Sequence, residues 1–166
     1  MTDDDEVVRE ASGESPPFWS AENDPDGYAK QDVIPNDWIL DYLLTAATGP
    51  ADDGDGNLRV TLTCGGVVVT GTVISGTTWI AGMDALLCEC AREIGEGFKS
   101  ASSMLATDRA ETRNRRNALG LPVRAREFMH LRDVQLGSGN SSTSTPLWRA
   151  PMSEISGWAL GVHPSE

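Results

Sequence analysis

The fold turns on Leu58-Arg-Val-Thr-Leu-Thr-Cys-Gly-Gly-Val-Val-Val-Thr-Gly-Thr-Val-Ile-Ser-Gly76. Leu58, Val60 and Leu62 alternate with Arg59, Thr61 and Thr63. A period of two sends one set to a core and the other to solvent, so this stretch reads as a half-buried strand. Gly65-Gly66 supplies the backbone freedom of a tight hairpin turn. The β-branched run from Val67 to Ile74 is the returning strand, and Gly71 within it predicts a bend or bulge. Ser75-Gly76 turns the chain again, and Thr77 to Gly82, around Trp79 and Ile80, reads as a short third strand.

Upstream, Asn36 or Asp37 caps a helix from about Asp37 to Thr48. Trp38, Ile39, Tyr42 and Leu43 form its expected apolar face, extended by Leu44 and Ala47, and Gly49-Pro50 stops it. Downstream the period changes. Met83, Leu86, Leu87, Cys90, Ile94, Phe98, Ala101 and Leu105 make one helical stripe, with a kink expected at Gly95 and Gly97. An arginine-rich stretch runs over 108–126. Glu127 to Leu136 reads as another strand, with Phe128, His130, Val134 and Leu136 on one face and His130 as a core histidine. Gly137 to Pro146 has no apolar anchor and reads as a mobile loop. Leu147 to Met152 and Ile155 to Gly161 read as final bent strands.

These elements predict an α+β protein: a small, strongly bent antiparallel sheet or barrel of the Sm-like or SH3-like kind, with an N-terminal helix and a helical insertion at about 83–120. An open α+β sandwich is the alternative. Residues 36–166 form the expected single domain. Residues 1–35, with Pro16-Pro17, Asp24-Pro25 and few aliphatics, read as a disordered acidic extension.

Charge also divides the chain unevenly. Residues 1–57 hold 15 Asp/Glu against Arg9 and Lys30, a balance of −13, while residues 58–166 stand at +1. An acidic segment of this kind seeks a basic surface, on a partner or on the same chain, and is repelled by phosphate backbones. Phe18, Trp19 and Tyr28 are its candidate contact points. Arg109, Arg113, Arg115 and Arg116 are a candidate docking surface for acidic protein segments. They lack the interleaved aromatics of single-strand readers, which makes a nucleic-acid-binding Sm-like module the second reading.

Catalytic and metal signals are weak. Cys64, Cys88, Cys90, His130 and His163 show neither Cys-x-x-Cys pairing nor His at i, i+4, so no metal is expected. Asp53, Asp55 and Asn57 open like a calcium loop, but Leu58 and Cys64 stand where Gly and Glu are needed, leaving a solvated acidic turn. No nucleophile elbow, phosphate loop or dinucleotide fingerprint is present. No cofactor and no enzymatic activity are expected. The start Met1-Thr2-Asp3-Asp4-Asp5-Glu6 is unlike a secretory signal, no apolar run would span a membrane, and the odd cysteine count suits reduced thiols. A cytoplasmic protein without membrane contact is the expectation.

Three blocks, in order, resemble the gas vesicle accessory proteins of the GvpU family. They are the glycine-punctuated hairpin Leu58–Gly76, Phe128-Met-His-Leu-Arg-Asp-Val134 after a helical insertion, and Leu147-Trp-Arg-Ala-Pro151 followed by Ile155-Ser-Gly-Trp-Ala-Leu-Gly161. With the early helix they cover about 37–161. The resemblance implies a cytoplasmic, non-enzymatic helper of gas vesicle assembly or organisation. Its partners would be vesicle structural proteins, other accessory proteins and further copies of itself, giving a homo-oligomer. The long acidic extension departs from the compact pattern of that family.

Overall fold

The computed structural model describes residues 19–137 and 142–161. Strands β1 (Arg59–Cys64) and β2 (Val67–Val73) form the expected hairpin. They pair antiparallel from Arg59↔Thr72 to Cys64↔Val67. Its two turn residues, Gly65 and Gly66, have φ of 56° and 80°, which side chains with a β carbon resist. β3 (Phe128–Leu136) pairs with β2, β4 (Thr143–Pro151) pairs with β3, and β5 (Ile155–Leu160) pairs with the far side of β1. The order is β4-β3-β2-β1-β5, antiparallel throughout.

That order forces curvature. In a flat sheet β4 and β5 would lie four strand spacings apart, roughly 19 Å. Pro151 ends β4 and Ile155 begins β5, and four residues reach at most about 14 Å. The sheet must therefore bend to bring its two edges together. No ladder joins β4 to β5 among the described residues, so the sheet is bent but not a closed barrel.

A bulge lies opposite Gly71, but its extra residue is in β3 and not in β2 as expected. Thr70 pairs with Gln135 and Thr72 with Arg132, so Asp133 and Val134 together oppose one residue. Asp133 takes φ 52°, the left-handed conformation that an inserted residue needs. The extra residue reverses the facing of everything after it. Met129 and Leu131 point into the core before the bulge and Val134 after it. The single face expected for Phe128, His130, Val134 and Leu136 is therefore divided. His130 is buried, as expected, but on the opposite side of the sheet from Met129 and Leu131, against Trp79. β4 begins at Thr143, inside the stretch read as a mobile loop, because its backbone pairs with β3 as far as Leu136↔Thr143.

A short helix α1 (Lys30–Val33) leads into α2 (Trp38–Thr48). Asp37 caps α2, its Oδ1 accepting from the N–H groups of Ile39 (2.9 Å) and Leu40 (3.0 Å). Its Oδ2 accepts from Trp158 Nε1 at 2.8 Å, tying the cap to β5. These contacts, the Leu40 N–H first, hold the Asp37 carboxyl below the usual carboxylate range. The face that α2 buries is not the expected one. Leu40, Leu44 and Thr48 pack inward, while Trp38, Ile39 and Tyr42 lie exposed.

The segment read as a third strand is helical. α3 (Gly76–Cys90) and α4 (Arg92–Ala118) run as an antiparallel pair, broken at the extended Ala91. Two acidic side chains of the preceding loop drive this. Asp52 Oδ2 accepts from Gly76 N at 2.9 Å, and Asp55 accepts from Ser75 N at 3.0 Å and Thr78 Oγ1 at 2.7 Å. They take the N–H groups of Ser75 and Gly76, the Ser75 hydroxyl accepts from Thr78 N at 3.1 Å, and the two negative charges favour the positive end of α3. The loop is therefore a capping device more than a solvated turn. The apolar stripe predicted over Met83–Leu105 does not form a buried face. α3 buries no residue fully, Cys90 is exposed, and so are Ile94 and Leu105.

Gly95 makes the close approach between the two helices. A β carbon there would lie 2.9 Å from Cys88 N and 3.1 Å from Cys88 Cα. Helix propensity alone would make Gly95→Ala stabilising by about 1 kcal/mol. Backbone atoms cannot give way as a flexible side chain can, so overpacking of about 1–3 kcal/mol should win. Urea denaturation of Gly95→Ala is expected to show a lower midpoint than the parent; a raised midpoint would contradict the packing.

Candidate interaction surface

The arginine-rich end of α4 is where the sequence placed its docking surface, and the structure brings the acidic N-terminal segment onto it. Asp24-Pro25-Asp26-Gly27 is a tight turn whose φ at Gly27 is 71°. Asp24 Oδ1 accepts from the N–H groups of Asp26 (2.9 Å) and Tyr28 (3.0 Å). Asp24 Oδ2 accepts from Trp19 Nε1 at 2.6 Å.

Arg116 closes this turn from the other side. Its guanidinium donates to Asp24 at 2.6 and 3.0 Å, to Asp26 Oδ2 at 2.7 Å and to the Pro122 carbonyl at 2.7 Å. The Tyr28 ring stacks on it, with Cζ 4.1 Å from the centroid. The Arg116 side chain is 1% exposed and that of Asp24 is 0% exposed. The planar fork matches two carboxylates and a carbonyl at once, the geometry arginine supplies and lysine does not. The Arg116 guanidinium holds the Asp24 carboxyl well below the usual range, and Asp24 in turn raises the arginine.

The expected site residues separate accordingly. Phe18 lies outside the described residues. Trp19, Tyr28 and Arg116 contact one another's partners inside the chain, and Arg116 offers no surface to a second molecule. Arg115 pairs with Asp26, and Arg113 Nη1 donates to the Ala51 carbonyl at 3.1 Å. Arg109 is the most open of the set, 3.6 Å from Glu127 and 67% exposed. From Trp19 onward, then, the extension expected to be disordered is folded onto the domain. Buried ion pairs and the aromatic stack offset the chain entropy that its few aliphatics cannot.

A second cluster lies at the base of α3. Arg126 pairs with Asp52 Oδ1 at 2.5 Å and donates to Thr48 Oγ1 at 3.0 Å. His130, 9% exposed, stacks at 5.3 Å and 38° against Trp79, whose other neighbour is the Arg149 guanidinium. Burial pushes the His130 imidazole down to about 4; Asp52 opposes this, and the charges of Arg149, Arg126 and Arg109 add to it. Among the described residues no group of three or more His, Cys, Asp or Glu side chains comes close enough to hold a metal ion. No helix among them is long and apolar enough to cross a membrane.

The sequence reading missed an open apolar surface on α2. Trp38 is 71% exposed and Tyr42 69%, with Ile34 and Ile39 beside them. The available signal was that α2 is apolar on nearly every side, with Asp41 its one charge. Such a helix needs cover on both faces. A second, smaller apolar set, Ile94, Met104 and Leu105, is exposed on α4.

The fold and its surfaces define a bent-sheet α+β domain with a helical arm that carries exposed apolar and charged side chains. The chain belongs to the GvpU-like family of gas vesicle proteins: the family model described as gas vesicle protein GvpU-like matches residues 37–163. Neither the curated proteins nor the solved structures gave a match.

Proposed function

We propose that this chain is a cytoplasmic, non-enzymatic gas vesicle accessory protein that assists the assembly or organisation of vesicles through protein–protein contacts, including contacts between its own copies. The observation that carries this reading is the family match over 37–163. Large apolar side chains exposed on α2 and α4 support it, because contiguous exposed apolar surface marks interaction sites. The bent sheet, with three residues linking its edge strands, supports reading the domain as a small barrel of the Sm-like or SH3-like kind. Most arginines near the C-terminus of α4 are matched to carboxylates within the chain, which weighs against phosphate binding.

Flotation tests the proposal. Purified chain mixed with purified gas vesicles is expected to rise with them on centrifugation, and its removal from vesicle-forming cells to alter vesicle yield or clustering. Chain left behind in the clear layer, with yield and clustering unchanged in cells lacking it, would overturn the reading. Light scattering of the chain alone is expected to show salt-dependent association; a salt-independent monomer would remove self-association from the role.

A further inference from the structure

We infer that the outward face of α2 is a docking site for a cationic amphipathic helix of a partner protein. The inference rests on the binding role just proposed and names its surface and partner chemistry.

Three observations carry it. Trp38, Ile39 and Tyr42 share the side of α2 turned away from Leu40 and Leu44, and Ile34 lies just before the helix. A Trp or Tyr side chain holds roughly 150–250 Å² when buried, and here more than two-thirds of each stays open. The patch therefore reaches the few hundred square ångströms that mark an interaction site. An exposed apolar helix face of this kind receives a second helix that bears its own anchors at i, i+3 and i+4.

Charge selects the occupant. Residues 31–58 contain six aspartates and no lysine or arginine. Asp52 is paired with Arg126 and Asp32 with Arg124, and Lys30 is the nearby cation with no ion pair among the described residues, so Asp37, Asp41, Asp53 and Asp55 keep the surround negative. The chain's own first 18 residues carry six acidic side chains and one arginine, so they share the sign of this surface. A second copy laid face to face would bring the same aspartates. A helix with leucine-like anchors and a lysine or arginine flank matches both the apolar face and the acidic surround.

The test uses the full chain and a fluorescent synthetic helix with leucines at i, i+3, i+4 and i+7 and lysines elsewhere, with a Leu/Glu helix of the same spacing as control. Saturable binding of the Leu/Lys helix alone is expected. Trp38→Ser with Tyr42→Ser leaves every charge in place and is expected to weaken it about tenfold or more. Asp41→Arg removes no core contact and is expected to weaken it several-fold and to restore some binding of the Leu/Glu helix. Equal binding of the Leu/Lys helix to parent and double variant, or equal binding of both helices to the parent, overturns the inference. So does a double variant that turns a dimer of the chain into a monomer, because the occupant is then a second copy. Vesicle flotation read in parallel separates the two claims. Retained flotation with lost peptide selectivity sinks the surface alone, whereas lost flotation of the parent sinks the role and leaves the surface standing.

Discussion

Replacing Arg116 with methionine is expected to lower the free energy of unfolding by about 3–5 kcal/mol, the range for breaking a buried pair from one side. The side chain is 1% exposed, and its donors meet Asp24, Asp26 and the Pro122 carbonyl. Methionine fills much of the volume but leaves the Asp24 carboxylate buried without its cation. The loss should be local as well as global: residues 19–35 should detach and become open to limited proteolysis. Urea denaturation and protease digestion check the two parts. Asp24→Asn in the same molecule should recover part of the lost stability, because the stranded charge is then gone. A stability equal to the parent's would show that the clasp is surface decoration. Unchanged protease resistance over 19–35 would show that other contacts hold the segment.

The second large effect is a pH dependence centred on His130. An imidazole free in the unfolded chain takes a proton near pH 6.5, whereas burial holds His130 down to about 4. Between those values the unfolded state binds the extra proton, so stability rises with pH across the window and is lost as pH falls from 6.5 towards 4. A depression of this size corresponds to about 3 kcal/mol. Below that window a different set takes over. The carboxyls of Asp37, Asp52 and Asp55 are all lowered, so the stability they contribute is present above their unfolded values and is lost on further acidification. Denaturation series at pH 7, 6, 5 and 4.5 should show the slope, and His130→Leu should flatten it. A variant with the parent's slope would assign the effect elsewhere.

Much of the sheet was legible in residue spacing. The alternation at Leu58–Thr63 with Gly65-Gly66 specifies β1, β2 and their turn, because a period of two and a left-handed turn are local requirements. The cap at Asp37 and the stop at Gly49 are legible for the same reason. The family resemblance rested on those same hairpin and strand blocks. The candidate site was legible only in outline. An acidic segment seeking a basic one was readable from charge. That they meet within one chain, at Arg116, was not, because Asp24 and Arg116 are 92 residues apart.

The amino-acid sequence by itself determined β1, β2 and their turn, the capped α2 and the acidity of the N-terminal third, since each follows from a few neighbouring residues. Tertiary structure alone decided that Gly76–Cys90 is a helix, that α2 turns Leu40 and Leu44 inward, and that Trp38 and Tyr42 face out. For Gly76–Cys90 the local preferences are small, tenths of a kcal/mol per residue. Ser75 caps the Thr78 N–H locally, but the Ser75 and Gly76 N–H groups find Asp55 and Asp52, twenty or more residues upstream in the chain. For α2 both faces are apolar, so periodicity cannot choose between them. The position of the bent sheet does, burying the side that meets Val60, Leu62 and Met152.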